Sequence, residues 1–412
     1  MRGRELRGEL DAFLTETDQE LVAFRRDLHM HPELAFAEYR TTQRIAERLT
    51  AAGLVPSVLP RGTGLICDVG SGDGPTVALR ADIDALPLHD EKKDAPYRST
   101  VPGACHACGH DVHTAILLGT SIFLAQQAAA GLLPGRVRLI FQPAEELPGG
   151  ALEVMAHGGI SGVERIFGLH CDPRVDLGQV GLKPGPITSA CDKLVIRVSG
   201  PGGHTARPHL TADLVFALAK VLTELPAALS RRVDPRSSLS LVWGKVEAGS
   251  AANAIPDEGV AEGTVRCLDE NAWHAAPDLI KSLLEAVASA YGIEATMEYT
   301  RGVPPVVNDE MSVDMLAEAV ERALGPGAVV PTQQSLGGED FAWYLESIPG
   351  ALARLGTRTP GGVTYDIHQG TFDVDESAIA MGVRLMAATA LTALWEPVVD
   401  SDFSVTASPT RG

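Results

Sequence analysis

Apolar positions recur along the chain in two different patterns. Helical spacing links Leu10, Leu14, Leu21, Phe24 and Leu28, which predicts one or two opening helices that end before the sequence HPE. Short apolar runs then follow, namely TGLICDV, TVALRAD, RVRLIFQ and ERIFGLH. Longer segments such as DVHTAILLGTSIFLAQQAAAG separate them and are long enough for helices. Strands that alternate with helices predict an α/β fold with a mostly parallel sheet covered on both faces.

A second pattern, richer in strands, begins near Ser189. It runs through CDKLVIRVSG, a helix near 211–230, SLSLVWGKVEAG, EGVAEGTVRCL, a helix near 272–291, and ATMEYTRGV. The order βαββαβ is that of a ferredoxin-like α+β domain. Helix and strand alternate again after Pro304, so the first domain is completed by the C-terminal part of the chain. We therefore predict a first domain made of two parts, 1–187 and 304–398. The inserted domain is predicted at 188–303, and a disordered polar tail at 399–412.

Length and composition agree with this division and exclude several classes of partner. A chain of 412 residues is too long for one compact core, and 45% hydrophobic with 21% charged residues is ordinary for a globular protein. The 34 basic and 53 acidic residues give a net charge of −19, which repels phosphate backbones and anionic lipid. We expect no nucleic-acid partner.

The cellular setting is predicted from what the sequence lacks. The N-terminal segment has no apolar signal region, and no window reaches the roughly 18 uncharged apolar residues of a membrane span. Six cysteines are scattered over the long chain, which favours reduced thiols over a disulfide scaffold. We expect a cytoplasmic protein with no membrane association.

The stretch HACGHDVHTA holds three histidines, a cysteine and an aspartate within ten residues. Other candidates lie where strand-like runs end: Glu145 and Glu146 follow RVRLIFQ, His170 ends ERIFGLH, and Asp82 ends TVALRAD with Asp84 two residues further on. In open α/β sheets the functional crevice lies at the carboxyl ends of the strands. These segments are therefore expected to converge in one cleft.

Cys108, His110, Glu146 and His170 form a mixed sulfur, nitrogen and oxygen set of the kind that binds zinc, manganese, cobalt or nickel. Its members come from separate segments, unlike the paired ligands of a zinc finger. In the adjacent glutamates, one carboxylate can bind metal while its neighbour stays free as a base. A metal lowers the pKa of bound water toward about 7, and a carboxylate can pass the proton to a leaving amine. This chemistry hydrolyses an amide.

These residues resemble a known family, the dinuclear metallopeptidases related to aminoacylase. Within it, the chain is most similar to the branch of N-acyl-amino-acid amidohydrolases, hippurate hydrolases and auxin-conjugate hydrolases. The similarity covers nearly all of the chain, from HMHPELAFAEYRT to about residue 390. Its landmarks are LRADIDALPL, HACGHDVHTAILLG, FQPAEE, GLH, GPGGHTARPH, NAIPD, GTVR, GGEDFAWY and IHQGTFDVDE.

The resemblance implies two divalent metal ions (Mn, Zn, Co or Ni) in a catalytic domain with a smaller ferredoxin-like lid that usually forms a homodimer or higher homo-oligomer. Glu145 is the implied general acid/base. The implied metal ligands are Cys108, His110, Glu146, His170 and His368. Only the resemblance points to His368, because IHQGTF lies about two hundred residues beyond His170.

The resemblance also assigns roles in the lid. His204 would polarise the scissile carbonyl, reaching the active site of the neighbouring subunit, and Asn253 with Arg266 would bind the amino-acid carboxylate. A planar guanidinium suits bidentate binding of a carboxylate. The structural alternatives are that His204 caps its Gly-rich turn and that Arg266 is an ordinary charge at a strand edge.

Several neighbouring positions stay open at this point. Asp82 either holds a metal ligand in place or is a hydrogen-bonding partner at a strand end. Asp111 and His113 are expected to start a helix rather than bind metal. Cys105 stands where many relatives have methionine. GGEDFAWY lines either the substrate pocket or the fold behind it.

The main hypothesis is a metal-dependent amidohydrolase that cleaves an N-acyl amino acid, a small molecule, into a carboxylate and a free amino acid. A dipeptidase or carboxypeptidase of the same family is the nearest alternative. A second enzyme hypothesis makes Cys108 a nucleophile with a histidine base, but it leaves the glutamate pair without a role. A binding protein with one structural metal is disfavoured, since it has no need of the free Glu145 carboxylate.

Overall fold

The computed structural model describes residues 2–72 and 74–395. Its helices are α1 Arg2–Met30, α2 Tyr39–Ala51, α3 His110–Ala129, α4 Gly150–Ala156, α5 Leu214–Leu229, α6 Glu270–Tyr291, α7 Glu310–Leu324, α8 Ala342–Leu345 and α9 Ser377–Trp395. Its strands are β1 Ser57–Val58, β2 Leu65–Val69, β3 Thr76–Asp82, β4 Arg136–Gln142, β5 Arg165–Asp176, β6 Val180–Leu182, β7 Gly185–Pro186, β8 Ala190–Ser199, β9 Gly203–His204, β10 Ser240–Ala248, β11 Ala254–Ile255, β12 Glu258–Cys267, β13 Glu294–Val303, β14 Val307–Asn308, β15 Val329–Pro331 and β16 Gly350–Arg358.

The larger sheet has the strand order β1-β2-β4-β3-β5-β16-β6-β15. Its centre is parallel, because β3 pairs in parallel with both β4 and β5, and β5 pairs in parallel with β16. Antiparallel pairs lie toward the edges, between β1 and β2, β2 and β4, and β16 and β6. This confirms the predicted α/β class with a mostly parallel sheet.

Alternate residues of the central strands face two different cores. Leu79, Leu139 and Phe167 belong to the larger core, which includes side chains of α1, α3, α7 and α9. Ala78 and Ile140, one residue away on the same strands, belong to a smaller core with α4 and α8. Both faces of the sheet are therefore covered, which explains why its strands are nearly continuous apolar runs.

The segment 190–303 forms a separate four-stranded antiparallel sheet with the order β10-β12-β8-β13. Helices α5 and α6 cover one face of it and share a hydrophobic core with its strands. In chain order these elements are βαββαβ, and the strand order is that of a ferredoxin-like domain. The sheet lies within the predicted lid at 188–303, whose boundaries remain predictions.

The elements agree closely with the sequence pattern. TVALRAD and RVRLIFQ are β3 and β4 residue for residue, and one helix, α1, ends at Met30 before HPE. The predicted disordered tail, 399–412, lies outside the described residues.

Two described helices, α3 and α9, are long and apolar enough to cross a membrane by length and composition. Buried residues make up 67% and 78% of their apolar windows. Both helices pack on the parallel sheet, and such burial is typical of core helices in globular proteins.

Candidate metal centre

The predicted ligands come together near the carboxyl ends of β3 and β4, although His170 lies within β5, which continues to Asp176 instead of ending at His170 as predicted. Cys108 Sγ lies 3.4 Å from His170 Nε2. His110 Nε2 lies 3.9 Å from carboxylate oxygens of both Glu145 and Glu146. His368 Nε2 lies 3.2 Å from Glu146 Oε1, although more than two hundred residues separate His368 from Glu146. The structure therefore assembles the whole predicted set in one place.

The geometry of this cluster fits bound cations. Within each of the groups Cys108–His110–His170, Cys108–Glu146–His368 and His110–Glu145–Glu146, the potential ligand atoms lie within 4.8 Å of one another. His110 Nε2 is buried and has no hydrogen-bond partner among the described residues. Such an atom is costly to bury unless a ligand satisfies it. The donors therefore suit a pair of divalent metal ions that share this cluster.

Local backbone conformation places the ligands. Gly109 precedes α3 with a φ of 93°, and a Cβ atom there would lie 3.1 Å from the Cys171 side chain. The conformation and the close approach both require glycine, which lets Cys108 and His110 face the same cluster. Ala144 and His368 also have positive φ values, 52° and 61°. Non-glycine residues rarely adopt this region, and such conformations cluster at functional sites.

Asp84 connects three members of the cluster. Its carboxylate lies 3.1 Å from His110 Nδ1 and accepts hydrogen bonds from the backbone amides of Glu145 at 3.1 Å and Glu146 at 3.0 Å. The contact with Nδ1 leaves Nε2 of the same ring free to face the cluster. The sequence indicates Asp84 as a candidate residue but not these contacts. The available signal was an aspartate two residues beyond the end of β3.

Asp82 is fully buried behind the cluster. Its Oδ1 atom lies 2.6 Å from His113 Nδ1, and the Cys171 amide donates to His113 Nε2 at 2.8 Å. Asp82 also forms a 2.6 Å ion pair with Arg80. It therefore supports side chains around the cluster. His113 lies in the first turn of α3, and both of its ring nitrogens have protein partners.

Asp111 also lies in the first turn of α3 and belongs to a buried ionic group. Its Oδ2 atom lies 2.7 Å from Arg25 Nε and 2.7 Å from His29 Nδ1. These contacts join α1 to the turn that carries His110. Neighbouring positive charges hold the pKa of the Asp111 carboxyl well below its usual range, despite its burial.

The sequence GGEDFAWY forms part of the fold behind the glutamate pair. Arg80 Nη2 donates to Glu339 at 3.1 Å and to Asp340 at 2.9 Å. Gln142, at the end of β4, donates to Asp340 at 2.7 Å. The Asp340 amide donates in turn to Glu145 Oε1 at 3.4 Å. Glu339 and Asp340 therefore help to position Glu145.

Burial favours the neutral forms of Glu145, Cys108 and His170 in the absence of a cation, whereas Asp82 and the other negative groups around His110 raise the pKa of its imidazole well above its usual range. Burial, reinforced by the charges of Glu339 and Glu146, raises the pKa of Glu145 well above its usual range. Burial also raises the pKa of the Cys108 thiol and lowers that of the His170 imidazole. Cations placed among these groups would favour the thiolate and the carboxylates.

The predicted lid residues lie apart from this cluster. His204 and Asn253 are exposed neighbours, since β9 pairs with β11 and the Thr205 amide donates to the Asn253 carbonyl at 3.3 Å. Arg266 donates a hydrogen bond to the Leu336 carbonyl. None of these three side chains contacts the predicted metal ligands among the described hydrogen bonds and ion pairs.

The profile of peptidase family M20/M25/M40 matches residues 78–392. The chain belongs to this family. The match spans both parts of the parallel-sheet domain and the four-stranded sheet between them. It therefore agrees with the resemblance inferred from the sequence motifs.

Individual proteins support the same assignment. The chain is 47% identical to a putative glutamate–cysteine ligase 2-3 of Rhodococcus jostii, over 91% of the chain but only 47% of that protein, so it spans about half of this relative. It is 39% identical to the N-acetylcysteine deacetylase of Bacillus subtilis, over 91% of the chain and 97% of that protein. The YXEP protein of Bacillus subtilis, described as a dinuclear metal-binding peptidase of the M20 family, has 36% identity and a TM-score of 0.81, covering 92% and 99% of the two chains.

Proposed function

We propose that the protein is a metal-dependent amidohydrolase that cleaves N-acyl amino acids into a carboxylate and a free amino acid. The observation that carries the proposal is the position of Glu145, a buried carboxylate beside the cluster of five potential ligands. The N-acetylcysteine deacetylase and the dinuclear metal-binding peptidase among its relatives support the same chemistry.

Two divalent ions are the cofactors that this cluster suits, held by Cys108, His110, Glu146, His170 and His368. Mn, Zn, Co and Ni all accept this mixture of sulfur, nitrogen and oxygen donors. When bound, such ions supply an activated water and polarise the scissile carbonyl.

Glu145 performs the proton transfers in this proposal. Its carboxylate takes a proton from the attacking water and delivers it to the nitrogen of the leaving amine. The Asp340 amide and the Asp84 carboxylate support it from two sides, through its side chain and its backbone amide. Asp82 acts indirectly, by holding His113 and Arg80.

Two other enzyme activities compete with this one. A dipeptidase or carboxypeptidase uses the same centre on a peptide bond, and the peptidase description of the YXEP protein favours it as the second candidate. A nucleophilic Cys108 is disfavoured, because burial raises its pKa and the thiolate is the reactive form. A thiolate bound to metal is not free to attack the substrate.

The lid supplies the remaining groups. His204 polarises the substrate carbonyl from a neighbouring subunit, and Asn253 and Arg266 bind the amino-acid carboxylate. The exposure of His204 and Asn253, away from the cluster of their own chain, supports this arrangement in a homodimer. The six cysteines, all described and all free, support a reducing, cytoplasmic setting.

The arrangement across subunits can be tested by complementation. Glu145→Gln and His204→Ala homodimers should each have little activity. A mixed dimer restores one complete site, because the His204→Ala subunit keeps Glu145 and receives His204 from its partner. Restored activity after mixing and refolding supports the proposal, and no recovery despite dimer exchange contradicts it.

The function itself is tested by amine release from N-acetyl, N-benzoyl, N-indoleacetyl and long-chain N-acyl amino acids, with dipeptides alongside. Chelator-treated protein is assayed before and after Mn²⁺, Co²⁺, Ni²⁺ or Zn²⁺ is added. Activity on an acyl class that returns with metal supports the proposal. Activity on dipeptides alone favours the second candidate, and activity that survives complete metal removal overturns both.

A further inference from the structure

Arg354 is a buried cation next to a predicted metal ligand. It lies on β16, where it pairs with His170 of β5 in parallel register. Residues paired in this way project from the same face of a sheet. Arg354 is only 8% exposed. Its position therefore places Arg354 beside His170, on the side of the cluster formed by β5 and β16.

No protein group neutralises this cation among the described residues. The Arg354 guanidinium takes part in none of their hydrogen bonds or ion pairs. Glu339 and Asp172 are the carboxylates whose charges most raise the pKa of Arg354, but both have other partners. Asp172 accepts two hydrogen bonds of 3.1 Å from Arg174, and Glu339 accepts one from Arg80 at 3.1 Å. Burial lowers the pKa of the Arg354 guanidinium, in the direction expected for an uncompensated buried charge.

The other deeply buried arginines differ from Arg354. Arg25 lies 2.7 Å from Asp111, and Arg80 contacts Asp82, Glu339 and Asp340. Arg165 is also buried and lies 2.6 Å from Asp309, so in all three cases the charge of a buried arginine is offset by ion pairs within the protein. On the other side of Arg354, its partner in β6 is Gly181, which has no side chain to offer. The Arg354 guanidinium therefore has several N–H donors but no hydrogen-bond acceptor in the described part of the chain.

We propose that Arg354 binds a second carboxylate of the substrate, distinct from the amino-acid carboxylate assigned to the lid. The inference rests on the proposed function and narrows its substrate class to dicarboxylic N-acyl amino acids. A guanidinium matches a carboxylate through two parallel hydrogen bonds, and a buried, unpaired guanidinium gains most from such a ligand. The second carboxylate is carried either by the amino-acid side chain or by the acyl group.

Matched substrate pairs distinguish these two sources. N-acetylglutamate is compared with N-acetylglutamine, and N-succinylalanine with N-pentanoylalanine, so each pair differs at one charged group. The wild-type holoenzyme should have a higher kcat/KM for the charged member of one pair. In Arg354→Met this charged-to-neutral ratio should fall by about 10- to 100-fold, while Arg354→Lys retains part of it.

Arg358→Met is the matched control, because Arg358 lies on the same strand but is ion-paired with Asp176 at 2.6 Å. It should keep the wild-type ratio. The inference is overturned if the wild type shows no preference within either pair. It is also overturned if Arg354→Met lowers kcat/KM equally for every substrate, or loses bound metal in proportion to its activity.

Failure of the proposed function gives a different result. In that case the wild type binds metal but hydrolyses none of these amides, and calorimetry with glutarate replaces the assay. Binding of glutarate that weakens about tenfold or more in Arg354→Met, but not in Arg358→Met, still supports the carboxylate site. Equal binding by all three proteins overturns it.

Discussion

Asp84 Oδ1 lies 3.1 Å from His110 Nδ1, inside a fully buried contact. The same carboxylate binds the amides of Glu145 and Glu146, so one side chain orients a histidine and two glutamates. Partners of this kind fix the ring orientation of a metal-binding histidine and raise its affinity for metal.

Asp84→Asn should therefore lower metal affinity by about 10- to 100-fold. The asparagine NH₂ group would replace one carboxylate oxygen and face N–H donors, the His110 ring and the amides of Glu145 and Glu146, whose hydrogen bonds Asp84 accepts in the wild type. Calorimetric titration of the metal-free protein measures the effect. Asp94→Asn, at an exposed position, is the control. Wild-type affinity in Asp84→Asn would show that Asp84 does not organise the cluster.

Glu145→Gln should reduce kcat by about 10²- to 10⁴-fold, because glutamine keeps the shape of the side chain but cannot carry the proton. Metal content should stay near that of the wild type, since Glu146 and the other predicted ligands are unchanged. Metal analysis and steady-state kinetics on one preparation separate the two effects. Glu164→Gln, which changes an exposed glutamate, controls for the loss of charge. Substantial turnover by Glu145→Gln would remove Glu145 from the mechanism.

Arg80 is almost fully buried and contacts Asp82, Glu339 and Asp340. Arg80→Met should lower the free energy of unfolding by about 3–5 kcal/mol, because it leaves several buried carboxylates without a cation. Denaturant titration of the metal-free protein measures this change without a contribution from bound metal.

Arg44→Met provides the comparison for Arg80. Arg44 forms ion pairs with Asp27 and Glu47, but its side chain is 42% exposed. Removing a surface ion pair should cost less than about 1 kcal/mol. A similarly small cost for Arg80→Met would mean that the buried carboxylates take up protons without penalty.

The sequence predicted the elements of the centre better than its supporting contacts. Buried parallel strands are continuous apolar runs, so TVALRAD and RVRLIFQ match β3 and β4 residue for residue, and the carboxyl end of β4 located Glu145. His170 lies within β5 rather than at its end, because β5 continues to Asp176. His368 follows no periodic pattern, because it lies in a loop with a φ of 61°, and only the family resemblance identified it.

The supporting contacts depend on the folded chain. Arg80 and Asp340 are 260 residues apart in sequence, and nothing in RAD or GGEDFAWY indicates that the two side chains meet. The unpaired state of Arg354 is likewise a property of its surroundings, since the sequence ARLG alone shows an arginine in an apolar strand. Pair formation in a buried network is decided by tertiary structure, which residue patterns along the chain do not report.

Glu38 offers a test of stability against pH. Its Oε1 atom accepts hydrogen bonds from the amides of Ala144 at 2.8 Å and Phe36 at 3.0 Å, and its Oε2 atom is buried without a partner among the described residues. Burial raises the pKa of the Glu38 carboxyl from an ordinary 4.5 to about 7. The folded protein therefore binds this proton more tightly than the unfolded chain does.

The stabilisation from this proton is fully present below pH 4.5 and is lost as the pH rises through 7. In the wild type, this group should lower the free energy of unfolding by up to about 3 kcal/mol between these limits. Glu38→Gln keeps an oxygen for the Ala144 amide but cannot ionise, so its stability should fall less over the same range. Glu33→Gln, which changes a carboxylate that caps the Arg40 and Thr41 amides, should keep the Glu38 contribution. Urea titrations of the three metal-free proteins at intervals from pH 5 to 8 measure the free energy of unfolding as a function of pH. If the wild type and Glu38→Gln give parallel curves, Glu38 is already ionised in the folded protein at pH 5.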